Sequence, residues 1–276
     1  MQGTSSLPPS STLRAFALVE LIANAGVPVS LDELTKLSLL PKPTVFRILG
    51  LLAAGGIVAR ESLGKRYCVG PRLSGIALQV QMHSPAREWR QSILARLVEE
   101  TGETCNFTML DGNEVVYLER VETSSPVRLH MESGSRVPLH CTASGKLFLA
   151  QMTPAELRRA LGPGPLKRYT PRTVTSVDAL EKTLRKVRAE GVGADIGEYL
   201  EGSVCIAVPV PDRDGRIYTA VALHGPAPRM TLKKGQDCLP ALRRAARSLA
   251  ETAGPDAIRS RDSRKSARAG RGRSTP

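Results

Sequence analysis

SLDELTKLSLLPKPTVFRILGLLAAGGIVARESLGKRYCVG, the stretch from Ser30 to Gly70, decides the reading of this chain. Ser30 opens a short helical run and Glu33 follows three residues on, the S-x-x-E spacing of a capping box. A turn holding Pro41 comes next. In the second helix Pro43 suits the first turn, where a missing N–H costs nothing. Val45, Ile48, Leu49 and Leu52 recur at i, i+3, i+4 and i+7 as one buried stripe, and Thr44 and Arg47 share a different, outward face. Gly55 and Gly56 stop the helix. IVARE and KRYCV then read as two strands joined by Ser62-Leu63-Gly64, a hairpin with Arg60, Lys65 and Arg66 near its tip. Together these make a winged helix-turn-helix: the second helix enters a major groove, and wing cations touch phosphate, which fixes position without reading sequence. The bland alternative is a small helical subdomain with a solvated hairpin, and the placement of charge weighs against it.

The chain has 276 residues, room for two domains, and its 41% hydrophobic content fits packed cores. The net charge of +13 is concentrated at the ends. Residues 1–83 hold eight Lys/Arg against four Asp/Glu, and 258–276 hold seven against one. Residues 84–257, with 24 against 21, are nearly balanced. A basic DNA-facing end follows from counterion release. The tail IRSRDSRKSARAGRGRSTP is poor in apolar residues and is expected to be disordered, either adding non-specific phosphate contacts or simply solvated. No apolar run reaches membrane-spanning length, and MQGTSSLPPSS lacks the charged and apolar regions of a signal peptide. Cys68, Cys105, Cys141, Cys205 and Cys238 are odd in number and widely spaced, which rejects a disulfide framework or zinc ribbon and fits a reducing cytoplasm.

Five segments are expected: a disordered tail (1–10), a winged helix-turn-helix (11–70), a linker helix (71–83), an effector-binding domain (84–254) and a basic disordered tail (255–276). Thr12 can cap a first helix over roughly 13–25. Pro85 is placed to start a longer helix ending at Gly102, with Trp89, Ile93 and Leu97 at four-residue steps. From residue 103 the period switches to two: TCNFTML and EVVYLERVE flank the turn Asp111-Gly112-Asn113, and VRLHME reads as a third strand. LHCTASGKLFLAQM becomes a helix near Ala143, PAELRRAL and SVDALEKTLRKVRAE are amphipathic helices, and GVGADIGEY is a strand or extended loop. SVCIAVPVPD and RIYTAVALHG are strands, and Leu232–Ala253 reads as one closing helix. The pattern predicts an α+β domain with a mostly antiparallel sheet.

Leu40-Pro41-Lys42-Pro43-Thr44-Val45-Phe46-Arg47-Ile48-Leu49 and Tyr67-Cys68-Val69-Gly70 resemble the N-terminal domain of IclR-type bacterial transcriptional regulators. Further marks of that family are Gly134 to His140, Thr142-Ala143-Ser144-Gly145-Lys146, Asp195 to Tyr199, Gly202 to Val210, and Gly225-Pro226. The resemblance runs over roughly residues 11–252 and implies a GAF-like sensing domain behind the DNA-binding one. It implies that Lys42, Thr44 and Arg47 face DNA. Leu39 stands where the turn usually has Gly, and Pro43 where Ser is usual. Phe46 either packs on a thymine methyl or is an ordinary, partly exposed packing residue, the commoner use. The implied effector pocket draws on Ala143, Ser144, Asp195, Cys205, Ala222 and His224, the last two at places often held by Ser. Cys205 and Ala222 could equally fill core space, and His224 could be a satisfied sheet histidine.

From the residues themselves, backbone N–H groups at Ala143, Ser144 and Gly145 open a helix and make an anion site, so small organic or aromatic acids are the natural effectors. TASGKL lacks the first Gly and the Ser/Thr after Lys146 that a phosphate loop needs. His140 and Cys141 are adjacent with no thiol-protease signature around them, and no spacing supports a metal site from His140, Cys141, Cys205 or His224. No catalytic residue, metal or cofactor is therefore expected. The chain reads as a cytoplasmic, sequence-specific transcriptional regulator, dimeric or tetrameric, with operator DNA and a small molecule as partners and no membrane. The alternatives are an enzyme or metabolite-binding protein whose N-terminal domain mediates protein contacts, and a nucleoid binder without sequence preference.

Overall fold

The structure, a computed structural model, describes residues 10–61, 65–126 and 131–253. Both basic or polar tails and the wing tip Ser62–Gly64 lie outside them. One structural unit runs to Gln81 and a second begins at Met82. Helix α1 (Ser11–Ala25) is capped by Ser10, whose hydroxyl accepts from Leu13 N, so the expected cap Thr12 lies inside the helix. The Ser30 and Glu33 side chains close the capping box at the start of α2 (Leu31–Ser38), at 3.2 and 2.7 Å. Three residues later α3 (Lys42–Ala54) begins, and the two helix axes differ by 114°, within the range of a helix-turn-helix. Leu18, Ile22, Leu34, Leu40, Val45, Ile48 and Leu49 form the core between them.

The wing pairs β1 (Val58–Arg60) with β2 (Tyr67–Val69), and Val29 exchanges both backbone hydrogen bonds with Tyr67. Gly70 ends the wing because a β-carbon there would lie 2.4 Å from the Gly56 carbonyl oxygen. Helix α4 (Pro71–Met82) follows.

In the second unit α5 (Arg87–Thr101) starts two residues after Pro85. The sheet comprises β3 (Thr104–Asp111), β4 (Glu114–Val121), β5 (Arg136–Pro138), β6 (Gly193–Ile196), β7 (Ser203–Pro211) and β8 (Ile217–Pro226). Their order is β5-β4-β3-β8-β7-β6, antiparallel throughout the described residues. Most of VRLHME, residues 127–130, lies outside the described residues, and the edge strand beside β4 is the unforeseen β5. Helices α6 (Ala143–Gln151), α7 (Pro154–Leu161) and α8 (Val177–Glu190) fill one face of the sheet with Phe148, Leu157, Leu180 and Leu184. The expected closing helix is broken at Cys238 into α9 (Leu232–Asp237) and α10 (Leu239–Ala250), followed by a 3₁₀ turn at Glu251–Ala253. Pro240 has no N–H to continue the ladder, which is the physical reason for the break. Helices α5 and α10 pack on the sheet's other face.

Two buried carboxylates hold this unit together. Glu119 accepts from Arg87, Arg90 and Gln91 and fastens α5 to β4. Glu103 pairs with Arg229 at 2.9 Å and Lys234 at 2.7 Å, and its carboxylate occupies the space a β-carbon on Gly225 would need. A bulge in β4 opposite Phe107 and Thr108 resets the alternation, so Tyr117 and Glu119 face opposite sides of the sheet.

Leu39 holds the turn in the left-handed region at φ 57° and is 62% exposed. That conformation costs a non-glycine residue roughly 1–2 kcal/mol. Glycine gives back about 0.4–1 kcal/mol through a freer unfolded chain. Leu39→Gly should therefore stabilise the first unit by about 0.5 kcal/mol, seen as a higher urea midpoint by circular dichroism. A lower midpoint would mean that the leucine side chain contributes packing.

Candidate functional site

On α3 the side chains expected to meet DNA lie on the open face. Lys42, Phe46 and Arg47 are exposed and Thr44 is half-buried. Lys42 also pairs with Asp32 of α2 at 2.7 Å. Lys65 is exposed on the wing with a positive φ of 53°. Arg66, half-buried on the wing, also has partners within the unit. Its guanidinium binds both carboxylate oxygens of Glu33 (2.9 and 3.1 Å) and the Pro28 carbonyl (2.8 Å), tying the wing to the start of α2.

The second unit holds a cavity between the sheet and the start of α6. Ala143 and Ser144 form one wall, Asp195, Cys205, Ala222 and His224 the sheet side, and Tyr199 lines it from the segment after β6. Six of the seven residues expected of an effector pocket thus converge. Gly145 does not line the cavity. A β-carbon there would sit 2.2 Å from the Leu139 carbonyl oxygen, so its role is to let α6 press against the preceding loop. Gly193 acts likewise from the other side, 2.1 Å from the Ala143 carbonyl oxygen. Register explains the sheet side: Asp195 pairs with Cys205, Cys205 with His224, and Ala222 with Asn106.

The start of α6 is left uncapped. Thr142 stands at the N-cap but its hydroxyl donates to the Pro138 carbonyl at 2.6 Å, and no side chain caps the helix. Thr108, which the sequence reading missed, donates to Ser144 Oγ at 2.9 Å and orients that hydroxyl within the cavity. Lys146, buried one turn into α6, donates to the Ala194 carbonyl at 2.7 Å and pairs with Glu198. Thr170 and Thr173 hold the same segment by bonds to the Gly197 and Glu198 carbonyls. The alternating strand pattern could not reveal these anchors, because they come from a loop and the middle of a helix.

Asp195 is 4% exposed and accepts from Glu198 N at 2.7 Å. Burial pushes its carboxyl up to about 6 despite that bond and the nearby Lys146. His224 is 6% exposed and its Nδ1 has no partner among the described residues; burial pushes its pKa down to about 4. Burial also raises the Cys205 thiol, and that of Cys141 to about 12, so both remain thiols. His140 is turned toward the Lys167 carbonyl and Tyr169, away from a nucleophile's role for its neighbour. Among the described residues no three His, Cys, Asp or Glu side chains are grouped to hold a metal. No single described helix is long and apolar enough to cross a membrane.

Two family models match the chain. Residues 11–62 match the IclR helix-turn-helix domain and residues 79–251 the C-terminal domain of bacterial transcriptional regulators of the IclR type. The chain belongs to the IclR family. It is 40% identical to the Cupriavidus necator protein named "Probable transcriptional regulator SauR" over 88% of this chain and 96% of that one. It is 30% identical to the Escherichia coli HTH-type transcriptional regulator KdgR over 89% and 93%. The crystal structure of the Thermotoga maritima IclR superposes with a TM-score of 0.57 at 28% identity, covering 88% of this chain and 98% of that one. An IclR homolog from Microbacterium hydrocarbonoxydans complexed with 4-hydroxybenzoate gives 0.56 at 25% identity, over 87% and 98%. The protein is thus a DNA-binding transcriptional regulator with an IclR-type C-terminal domain.

The two shifted groups pull stability in opposite directions. Asp195, raised above its unfolded value, loses its contribution as pH rises from about 4 to 6. His224, lowered, costs stability as pH falls from about 6.5 to 4. In the parent these slopes offset each other. Asp195→Asn should unmask the histidine, so the variant loses more stability than the parent between pH 6.5 and 4.5 in urea titrations. Parallel slopes would contradict these assignments.

Proposed function

We propose that a small organic acid bound in the cavity at the start of α6 controls how this regulator engages its operator. The observation that carries this reading is the uncapped N-terminus of α6 at a wall that Asp195 and His224 also line. Free N–H groups and the helix dipole favour a carboxylate there. Asp195, itself an acceptor, would meet a hydroxyl or amine at the ligand's other end. The 4-hydroxybenzoate bound by a relative combines an acid with a hydroxyl donor in this way. Lys42, Thr44, Phe46 and Arg47 would meet the operator, with Lys65 on phosphate. One recognition helix reads a few base pairs, so a homodimer or homotetramer on repeated half-sites in the cytoplasm completes the reading. Effector and operator affinities are then linked reciprocally.

The first test is a thermal-shift screen of the full chain against small carboxylic acids, 4-hydroxybenzoate included, followed by calorimetry. Ser144→Trp should fill the cavity and abolish the shift while leaving operator affinity near the parental value. Asp195→Ala should weaken binding of the best acid by about 1–3 kcal/mol, the cost of leaving its donor without a charged partner. Unchanged binding in both variants places the site elsewhere.

At the DNA end, Lys65→Ala should weaken binding to all sequences and reduce the salt slope by about one. Arg47→Ala should cost roughly 1–3 kcal/mol on the operator alone. Equal losses on operator and random DNA for Arg47→Ala would remove its base-reading role.

A further inference from the structure

The open face of α3 is unusually apolar for a helix that meets DNA. Pro43, Phe46, Arg47 and Gly50 stand at i, i+3, i+4 and i+7, and all four are exposed. Phe46 is 56% exposed, with more than half of its surface open to a partner. Val45, Ile48 and Leu49 already fill the inward face, and nothing in the unit's core uses the ring. Gly50 is the second oddity. Glycine is a poor residue for a helix interior, and a β-carbon there would meet nothing within 4 Å. No contact among the described residues calls for it, whereas a body approaching the helix from outside would. Of these four residues, Arg47 is the one able to donate to a base edge.

The apolar feature that a major groove offers is the thymine C5-methyl group. We propose that Phe46, beside Pro43, recognises pyrimidine 5-methyl groups, and that the bare surface of Gly50 lets α3 approach the groove closely enough for that contact. Arg47 then hydrogen-bonds a base edge next to the methyl. Each half-site accordingly carries thymine beside the base Arg47 reads. This rests on α3 being the reading helix, and the experiment separates the two claims.

The full-length chain is used to select its binding site from a random duplex pool. Each thymine of the selected site is then replaced singly by deoxyuridine, which removes the methyl and keeps the base pair. At one or two positions per half-site affinity should fall about three- to fivefold, the worth of one buried methyl. Phe46→Ala should lose a similar factor on the thymine site and become indifferent to deoxyuridine. Gly50→Ala should melt at a higher temperature, yet bind the site more weakly. Melting curves of the Phe46 variant check its fold, which an exposed side chain should not disturb. If no deoxyuridine matters while Arg47→Ala still abolishes selection, α3 reads DNA and the methyl proposal is wrong. A Phe46→Ala variant that remains as sensitive to deoxyuridine as the parent also overturns it. If neither Arg47→Ala nor Phe46→Ala affects binding, α3 is not the reader and the underlying reading fails.

Discussion

Two missing β-carbons fix the centre of the second unit. At Gly145 and Gly193 the backbone of α6 touches the Leu139 loop on one side and β6 on the other, at separations no other residue could allow. The start of α6 is thereby wedged between two strands of backbone. Ala143 and Ser144 are brought to the cavity wall, and Asp195, two residues beyond Gly193, reaches the same space. Lys146 adds a buried tie to the Ala194 carbonyl one turn further on. Adding a methyl at either glycine would force backbone apart, a cost of about 1–3 kcal/mol or more for overpacking.

The electrostatics of the cavity follow from this closure. Burial disfavours charge on the carboxyl and imidazole that line it, raising Asp195 and lowering His224. Among the described lining residues there is no lysine or arginine. An anionic ligand would therefore be met by oriented backbone N–H groups rather than by a cation, an arrangement that favours geometry over raw charge. The buried cations of this unit are committed elsewhere: Arg90 to Glu119, and Lys146 to Glu198.

The first unit was legible in the sequence because its signals are local. A capping box, a proline in the first turn of α3, a stripe at i, i+3, i+4, i+7 and a hairpin-length connection each act within a few residues. The open face of α3 was legible for the same reason. The Arg66–Glu33 pair left no such trace, because its partners lie 33 residues apart. In the second unit β3, β4, β7 and β8 were readable from alternation and the six converging cavity residues from family motifs, whereas the three-residue β5 is too short to show a period. A glycine at 145 admits either backbone or ligand, and its neighbour is the Leu139 backbone; the roles of Gly193, Thr108, Thr170 and Thr173 leave no local signal. These contacts depend on which strands end up adjacent. The break at Cys238 was readable from Pro240 and was passed over because the apolar stripe continues across it.

The central claim is that the uncapped start of α6 seats an anion. A crystal structure of the full chain with the carboxylic acid that raises its melting temperature most tests it directly. Carboxylate oxygens are expected at hydrogen-bonding distance, about 2.7–3.2 Å, from the backbone nitrogens of Ala143 and Ser144, with the ligand's other end toward Asp195. A ligand bound outside this cavity, or one whose carboxylate is held by an arginine or lysine instead, would contradict it.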